Sequence, residues 1–360
     1  MHELSQMIKD DMKPALGVTE PGAIAFAVAK ARSFTKGDIK KVNVAMNSGM
    51  YKNAFTCGIP NSNEVGNVFA AALGVVAGNA DKGLESLADV TPEDNVKAQE
   101  MIDQGKVTVE LSGITSRIFI EATVETEEDK AIVTIRDSHT NITKITVNDK
   151  VELETEDEKK TEEDGGEEEA HSIHKYTLQQ LYDYVTTDIE EIRFINEAYK
   201  VNLELFHEGL ENPRTTFARQ LLAINNGKEV SDDEQKTASL MCNAAIEARV
   251  IGLDKPAMSI TGSGAHGIIA TMPLYAAYKV NGYTEEQLLR ATALSYLVCM
   301  YIKEYSGRLS AFCGCAIAAG SGMACALVYL RGGTVEMMAH TLNNMASSIT
   351  GMICDGGNQG

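Results

Sequence analysis

Between Glu152 and Glu169 the chain carries eleven acidic residues and two lysines, and this run separates two parts with different hydrophobic rhythm. The segment ELETEDEKKTEEDGGEEE has one apolar residue, no periodicity and a Gly165-Gly166 break, so it cannot bury enough surface to order itself. Residues 151–170 are read as a solvated acidic linker, with an acidic docking tail as the other reading. The run accounts for −9 of the formal net charge of −19, which leaves the remainder of the 360 residues moderately acidic. An acidic surface of this kind excludes a nucleic-acid or anionic-membrane binder, whose faces need a basic field.

Before the linker, residues about 38 to 150 alternate. KKVNVAMNS reads as a strand with Val42, Val44 and Met46 on one face, and Asn47 to Asn63 as a Gly/Asn-rich loop. A Val/Ala-rich helix from about Glu64 to Ala77 and a capped helix opening at Thr91-Pro92 follow. KVTVELS, RIFIEATVE, AIVTIRDS and ITKITVND then suggest an antiparallel meander. After the linker every segment has helical periodicity, including Asp188 to Glu208, Glu285 to Tyr305 and Ser310 to Leu330. The expected class is α+β. Residues 1–37, two short helices, are expected to pack with a helical domain over 171–360, bracketing an inserted α+β domain over 38–150 that contains an antiparallel sheet. The C-terminal end of the helical domain is expected to be truncated at Gly360. Two charge-free runs, Ala257 to Tyr278 and Leu309 to Leu330, reach membrane-span length but are broken by Gly and Pro or built of small residues, so a packed interior is expected. The polar start lacks the layout of a signal peptide, and seven cysteines, an odd number, suit a reduced cytoplasmic protein.

Cys313-Gly314-Cys315 is the densest thiol pair, and Cys354 lies in the Gly-rich loop GMICDGGNQG. Thiols beside open backbone suit a soft metal or an iron–sulfur group, and they equally suit core packing or nucleophilic chemistry. Cys242, Cys299 and Cys325 fall on apolar helix faces and are expected in the core. SITGSGAHGIIATMP, from Ser259 to Pro273, is a Gly-rich turn entering an apolar segment, read either as a tight turn or as a pocket for a small anion. It lacks the Lys-Ser/Thr ending of a phosphate-binding loop. His139 ends a strand in DSHTN, where it is either a general base or part of a surface turn. Arg308 is the cation nearest the CxC pair in sequence, read as meeting a substrate carboxylate, lowering a thiol pKa or capping surface carboxylates.

Taken together, ALGVTEPGAIAFAVAKA, the Lys-Asn of MYKNAF, SHTNI, GSGAHGIIATMP, RLSAFCGCAIAAG and GMICDGG resemble the L-cysteine desulfidase family, which is related to the alpha chain of iron–sulfur L-serine dehydratase. The resemblance runs from about residue 7 onward. It implies a helical domain joined to a smaller α+β domain. It also implies a lyase that converts L-cysteine to pyruvate, ammonia and sulfide, or L-serine to pyruvate and ammonia. The cofactor it implies is a [4Fe–4S] cluster, and no pyridoxal phosphate is needed. A homodimer is the family-level expectation. Carried over by motif, Cys313 and Cys354 match two ligand positions. The third falls at Val18, which cannot ligate iron, so Cys315 is taken as the nearest replacement and Cys57 as another. His139 or Lys52 would serve as the α-proton base. Thr19, Glu20, Asn53, Asn141, Ser263, Gly264 and Arg308 would contact the substrate, and Asp355 would support the cluster loop. His266 replaces an Asn of the relatives. The departure at Val18 keeps a second function open: a family member without a cluster that binds or senses a small amino acid.

Overall fold

The structure, a computed structural model, describes residues 2–115, 117–155, 172–307 and 309–357. The chain divides into two compact units. A helical unit comprises Met1–Ala15 and Glu169–Cys354, and a sheet unit comprises Leu16–Glu168 and Asp355–Gly360.

The helical unit begins with α1 (Glu3–Asp11), which buries Leu4, Ser5 and Ile8 at helical spacing, and β1 (Lys13–Leu16). The sheet unit opens with α2 (Thr19–Arg32). Its alternating alanines leave it without a polar face, as a helix buried all round requires, and twelve of its residues are buried. Next come β2 (Ile39–Asn47), α3 (Ser48–Ala54), α4 (Asn67–Ala77) and α5 (Pro92–Asp103). A capping box at Thr91 and Asp94, with Pro92 in the first turn, sets the start of α5. The remaining strands are β3 (Val107–Gly113), β4 (Phe119–Thr126), β5 (Lys130–Arg136), β6 (Ile142–Val147) and β7 (Lys150–Glu154).

The six strands form one sheet in the order β3-β2-β4-β5-β6-β7. Val42, Val44 and Met46 are fully buried on one face of β2, as the alternation predicts. α2 packs on α4 and covers β4 and β5. The sheet is mixed where an antiparallel one was expected: β2 and β3 pair in parallel, Val42 opposite Val107 and Val44 opposite Val109. The connection between them runs through α3, α4 and α5, a crossover that returns the chain in the same direction. Of the expected meander, β4, β5 and β6 pair antiparallel in chain order and β7 extends it, while β3 pairs with β2 instead. α3 occupies part of the expected loop, and β7 occupies the first residues of the expected linker; residues 156–170 of that linker lie outside the described residues.

The helical unit resumes with α6 (Leu178–Val185) and α7 (Asn196–Glu211). Two 3₁₀ turns, Ile189–Glu191 and Arg193–Ile195, break what the sequence suggested was one helix from Asp188. Then follow α8 (Phe217–Ile224), α9 (Glu234–Val250), β8 (Pro256–Ser259), α10 (Gly264–Asn281) and α11 (Glu285–Ser306). A π-helical turn, Cys315–Gly320, leads into α12 (Ser321–Leu330), and α13 (Val335–Ile349) ends the helices. β8 pairs with β1. α11 is the central element, touching α6, α10 and α12, with Leu294, Tyr296, Leu297 and Cys299 all inaccessible to solvent. Side chains buried to that degree contribute about 1.5–3 kcal/mol each.

The α+β class is therefore observed. The expected grouping of residues 1–37 is divided by the structure: Met1–Ala15 belongs to the helical unit, but α2 packs in the sheet unit because its apolar surface continues around the whole helix and matches α4 and the sheet. Among the described residues no helix is long and apolar enough to cross a membrane.

Candidate active site

In the sheet unit, three separated motifs converge on one carboxylate. Thr19 and Glu20 form the first turn of α2, where a carboxylate is favoured by the helix dipole. The residue preceding them, Val18, supplies no side-chain cap and is itself buried. Asn53, on α3, donates through Nδ2 to Glu20 Oε1 at 2.8 Å, and Thr19 Oγ1 donates to Glu20 Oε2 at 3.2 Å. His139 Nε2, from the β5–β6 turn, lies 3.9 Å from the same Oε1; the two side chains are 9% and 7% exposed. Asn53 Oδ1 is a buried acceptor that no described residue engages. The result is a desolvated Glu–His pair with an amide acceptor beside it, the kind of group that takes a proton and receives an ammonium.

Three further expected residues of this unit have different surroundings. Asn141 Nδ2 donates to Arg136 O at 3.1 Å, so Asn141 closes the turn that carries His139. Lys52 is half-buried next to Asn53 on α3, and Asp355 is exposed. Cys57 is buried, and Gly357 approaches both Cys57 and Val18: a Cβ at Gly357 would lie 3.0 Å from Cys57 Cβ and 3.1 Å from Val18 Cγ1.

In the helical unit, the CxC pair and the loop bearing Cys354 are zipped together by backbone. Cys313 N–H donates to Met352 O at 2.8 Å, Cys354 N–H donates to Ala311 O at 3.0 Å, and Phe312 and Ile353 form an antiparallel bridge. The 38 residues between Cys315 and Cys354 are thereby closed into a loop. The three thiols are half-buried. The Cys315 thiol is pushed well up from its ordinary pKa by its hydrogen bond with Cys313 and by burial, while Arg249 acts in the opposite direction and Cys354 adds to the rise. Cys299 and Cys325 are buried as expected, whereas Cys242 is half-buried against the core, and desolvation pushes each thiol up to about 12. Arg308 lies outside the described residues. Ser263 precedes α10 without capping it through its side chain, and Gly264 is buried at the first helical position.

Backbone hydrogen bonds join the two segments that carry these three thiols, and thiolates are the donors that an iron–sulfur group takes. Among the described residues, no group of three or more His, Cys, Asp or Glu side chains is close enough to hold a single metal ion.

Sequence reading did not find Arg249, at the end of α9, or Lys303, on α11, both of which are buried in the helical unit. One signal was present. Tyr296, Cys299 and Lys303 recur at helical spacing on the buried stripe of α11, so a lysine occupies a core position.

The family model for the serine dehydratase alpha chain matches residues 81–359. A UPF0597 protein of Clostridium botulinum strain Langeland is 40% identical over 355 residues, covering 98% of this chain and 82% of the relative. UPF0597 proteins of Caldanaerobacter subterraneus subsp. tengcongensis and Bacteroides fragilis are 36% and 34% identical, each over 98% of this chain and 82% of the relative. No solved structure matches the chain. Matched over more than half its length and related at this level nearly end to end, the chain belongs to the serine dehydratase alpha chain family.

Proposed function

We propose that the chain is a lyase acting on a small β-substituted L-amino acid. L-Cysteine and water would give pyruvate, ammonia and hydrogen sulfide; L-serine would give pyruvate and ammonia. The observation that carries this reading is the buried Thr19–Glu20–Asn53–His139 cluster, assembled from family motifs 33 and 119 residues apart in the chain from Glu20. His139 takes the α-proton, and Glu20 holds the imidazolium that results. Thr19 and Asn53 fix the Glu20 carboxylate, and Asn53 Oδ1 accepts from the substrate ammonium. Lys52 is the other candidate for the base.

Cys313, Cys315 and Cys354 would hold a [4Fe–4S] cluster. When bound, such a cluster supplies an open iron that acts as a Lewis acid toward the leaving group. The CxC pairing with the Cys354 loop supports this assignment. Val18, a buried apolar side chain at the family's cysteine position, favours a second reading in which the chain binds a small amino acid without turnover.

The deciding experiment is anaerobic reconstitution with iron and sulfide, followed by iron analysis and pyruvate release from L-cysteine and L-serine. Iron uptake with pyruvate formation supports the lyase. A chain that binds no iron and releases no pyruvate leaves the binding reading. Cys315→Ser tests the ligand choice: the cluster spectrum is lost if Cys315 is the third ligand and retained if another group takes that place.

A further inference from the structure

The helical unit holds a cavity that the proposed chemistry does not use. Its volume is about 540 Å³, and it opens to solvent between α9 and α12, both of which pack on α10. Glu234, Ala238 and Cys242 recur every fourth residue along α9, and Met323, Leu327 and Arg331 do the same along α12 and its C-terminal cap, so each helix presents one row to the gap. Ala238 and Cys242 are too small to fill the space opposite Met323 and Leu327, and Pro273 of α10 completes the apolar lining. A cavity of this size lies within the range of about 300–1,000 Å³ typical of small-molecule sites.

The charges of the lining lie together. Arg331 Nη2 donates to Glu234 Oε1 at 2.8 Å, and Asn281 Nδ2, at the end of α10, donates to Glu234 Oε2 at 2.7 Å. The Glu234 and Arg331 side chains are 26% and 56% exposed, so the pair stands at the rim. A guanidinium has five N–H donors and this contact uses one, while a carboxylate accepts more than two hydrogen bonds. Each group can therefore take a further partner of opposite charge. The Cys242 thiol stays protonated because burial pushes it up to about 12, so it extends the apolar wall without adding charge. An acid and a base side by side above an apolar space are complementary to an ammonium and a carboxylate on one carbon that also carries an apolar chain.

We propose that this cavity binds a zwitterionic α-amino acid with an aliphatic side chain. The ammonium meets Glu234, the carboxylate meets Arg331, and the side chain enters between Ala238, Cys242, Pro273, Met323 and Leu327. The site shares no residue with the Thr19–Glu20–Asn53–His139 cluster or with Cys313, Cys315 and Cys354. It stands whether or not the chain is a lyase.

The test is isothermal titration calorimetry of the purified chain with L-leucine, and with isoamylamine and isocaproate, which keep its apolar chain but lack the carboxylate and the ammonium respectively. L-Leucine is expected to bind, and each analogue to bind at least about threefold more weakly. Glu234→Gln should weaken L-leucine binding by about tenfold. Arg331→Gln should weaken it by about threefold, because the more exposed group is better screened by water and salt. Ala238→Leu fills the cavity from its wall and should abolish binding, with far-ultraviolet circular dichroism showing that the helices are intact. No binding of L-leucine at about 10 mM would overturn the site, as would an unchanged affinity in all three variants. Equal affinity for L-leucine, isoamylamine and isocaproate would overturn the recognition of both charges. His139→Asn is expected to bind L-leucine as the unmodified chain does. Loss of binding in that variant would move the ligand to the candidate active site and overturn this one.

Discussion

Each unit buries one histidine beside charged groups, and the two fields have opposite sign. His139 lies against the Glu20 carboxylate, which is itself clamped by Thr19 and Asn53. His266 lies among Arg249, Lys303 and the positive end of α10, with Asp11 close by, where it accepts from Thr261 N–H at 2.5 Å. A carboxylate neighbour favours an imidazole that gains a proton; two cationic neighbours favour one that never does. The imidazole proposed as the base and the one that hydrogen-bonds without charge thus sit beside charges of opposite sign. Burial strengthens both fields because water does not screen them, and by itself it disfavours the charged imidazole.

Four substitutions test this contrast. The largest effect is expected for His139→Asn, which removes the proposed base and should lower kcat for pyruvate release by about 10²- to 10⁴-fold with KM little changed. A rate within a few-fold of the unmodified enzyme would shift the base to Lys52. Next is acid sensitivity from His266. Its folded pKa is depressed to about 3. Stability from this group is therefore fully present above the unfolded value of about 6.5 and is lost as pH falls toward the folded one. Between pH 8 and pH 5 that loss is about 2 kcal/mol. Urea unfolding at the two pH values should show it, and His266→Asn should remove that part of the difference. An unchanged difference would mean that His266 is not held neutral by its burial and its cationic neighbours.

Glu20→Gln keeps the shape of the side chain and removes its charge, and is expected to lower kcat by about tenfold. If the substitution changes KM alone, Glu20 is a substrate contact and the contrast between the two histidines loses one side. The smallest effect is expected for Thr261→Val, which takes away the hydroxyl partner of His266 Nδ1 and should cost about 1 kcal/mol in chemical unfolding at pH 8. Loss of that magnitude at Thr261 with no change in His139-dependent kcat would show that the two histidines are supported independently.

The sequence was most informative where a local signal was also the structural cause. The alternation in β2, the capping box before α5 and the long periodic stretch of α11 are each visible in a few consecutive residues, and each forms as read. It was least informative where the cause lies elsewhere in the chain. The parallel pairing of β2 with β3 depends on three intervening helices, and the packing of α2 in the sheet unit depends on a partner, α4, some fifty residues away. Ser310 to Leu330 looks helical throughout, yet Ala311, Phe312 and Cys313 hydrogen-bond or bridge with 352–354, so helix begins only with the π turn at Cys315. Among site residues, Thr19, Glu20, Asn53 and His139 were legible as motifs, and the structure brings all four to one carboxylate. Asn141 was legible too, but its side chain is spent on the turn. Arg249 and Lys303 were missed because a single charge in an apolar helix normally marks its solvent face, and here both mark the interior.

The pairing of Phe312 with Ile353 also sets an order of events in the life of the chain. Cys313 and Cys315 leave the ribosome well before Cys354, and until that last segment is synthesised the pair has no third thiol to join. Ile353 is 81% exposed, so the segment is held by a few backbone hydrogen bonds and by little apolar burial. The set of three thiols is therefore completed only once residue 354 has been made, and by a segment held mainly through backbone hydrogen bonds. Any cofactor placed there must be loaded after translation has passed residue 354, and its loss would begin with that strand letting go.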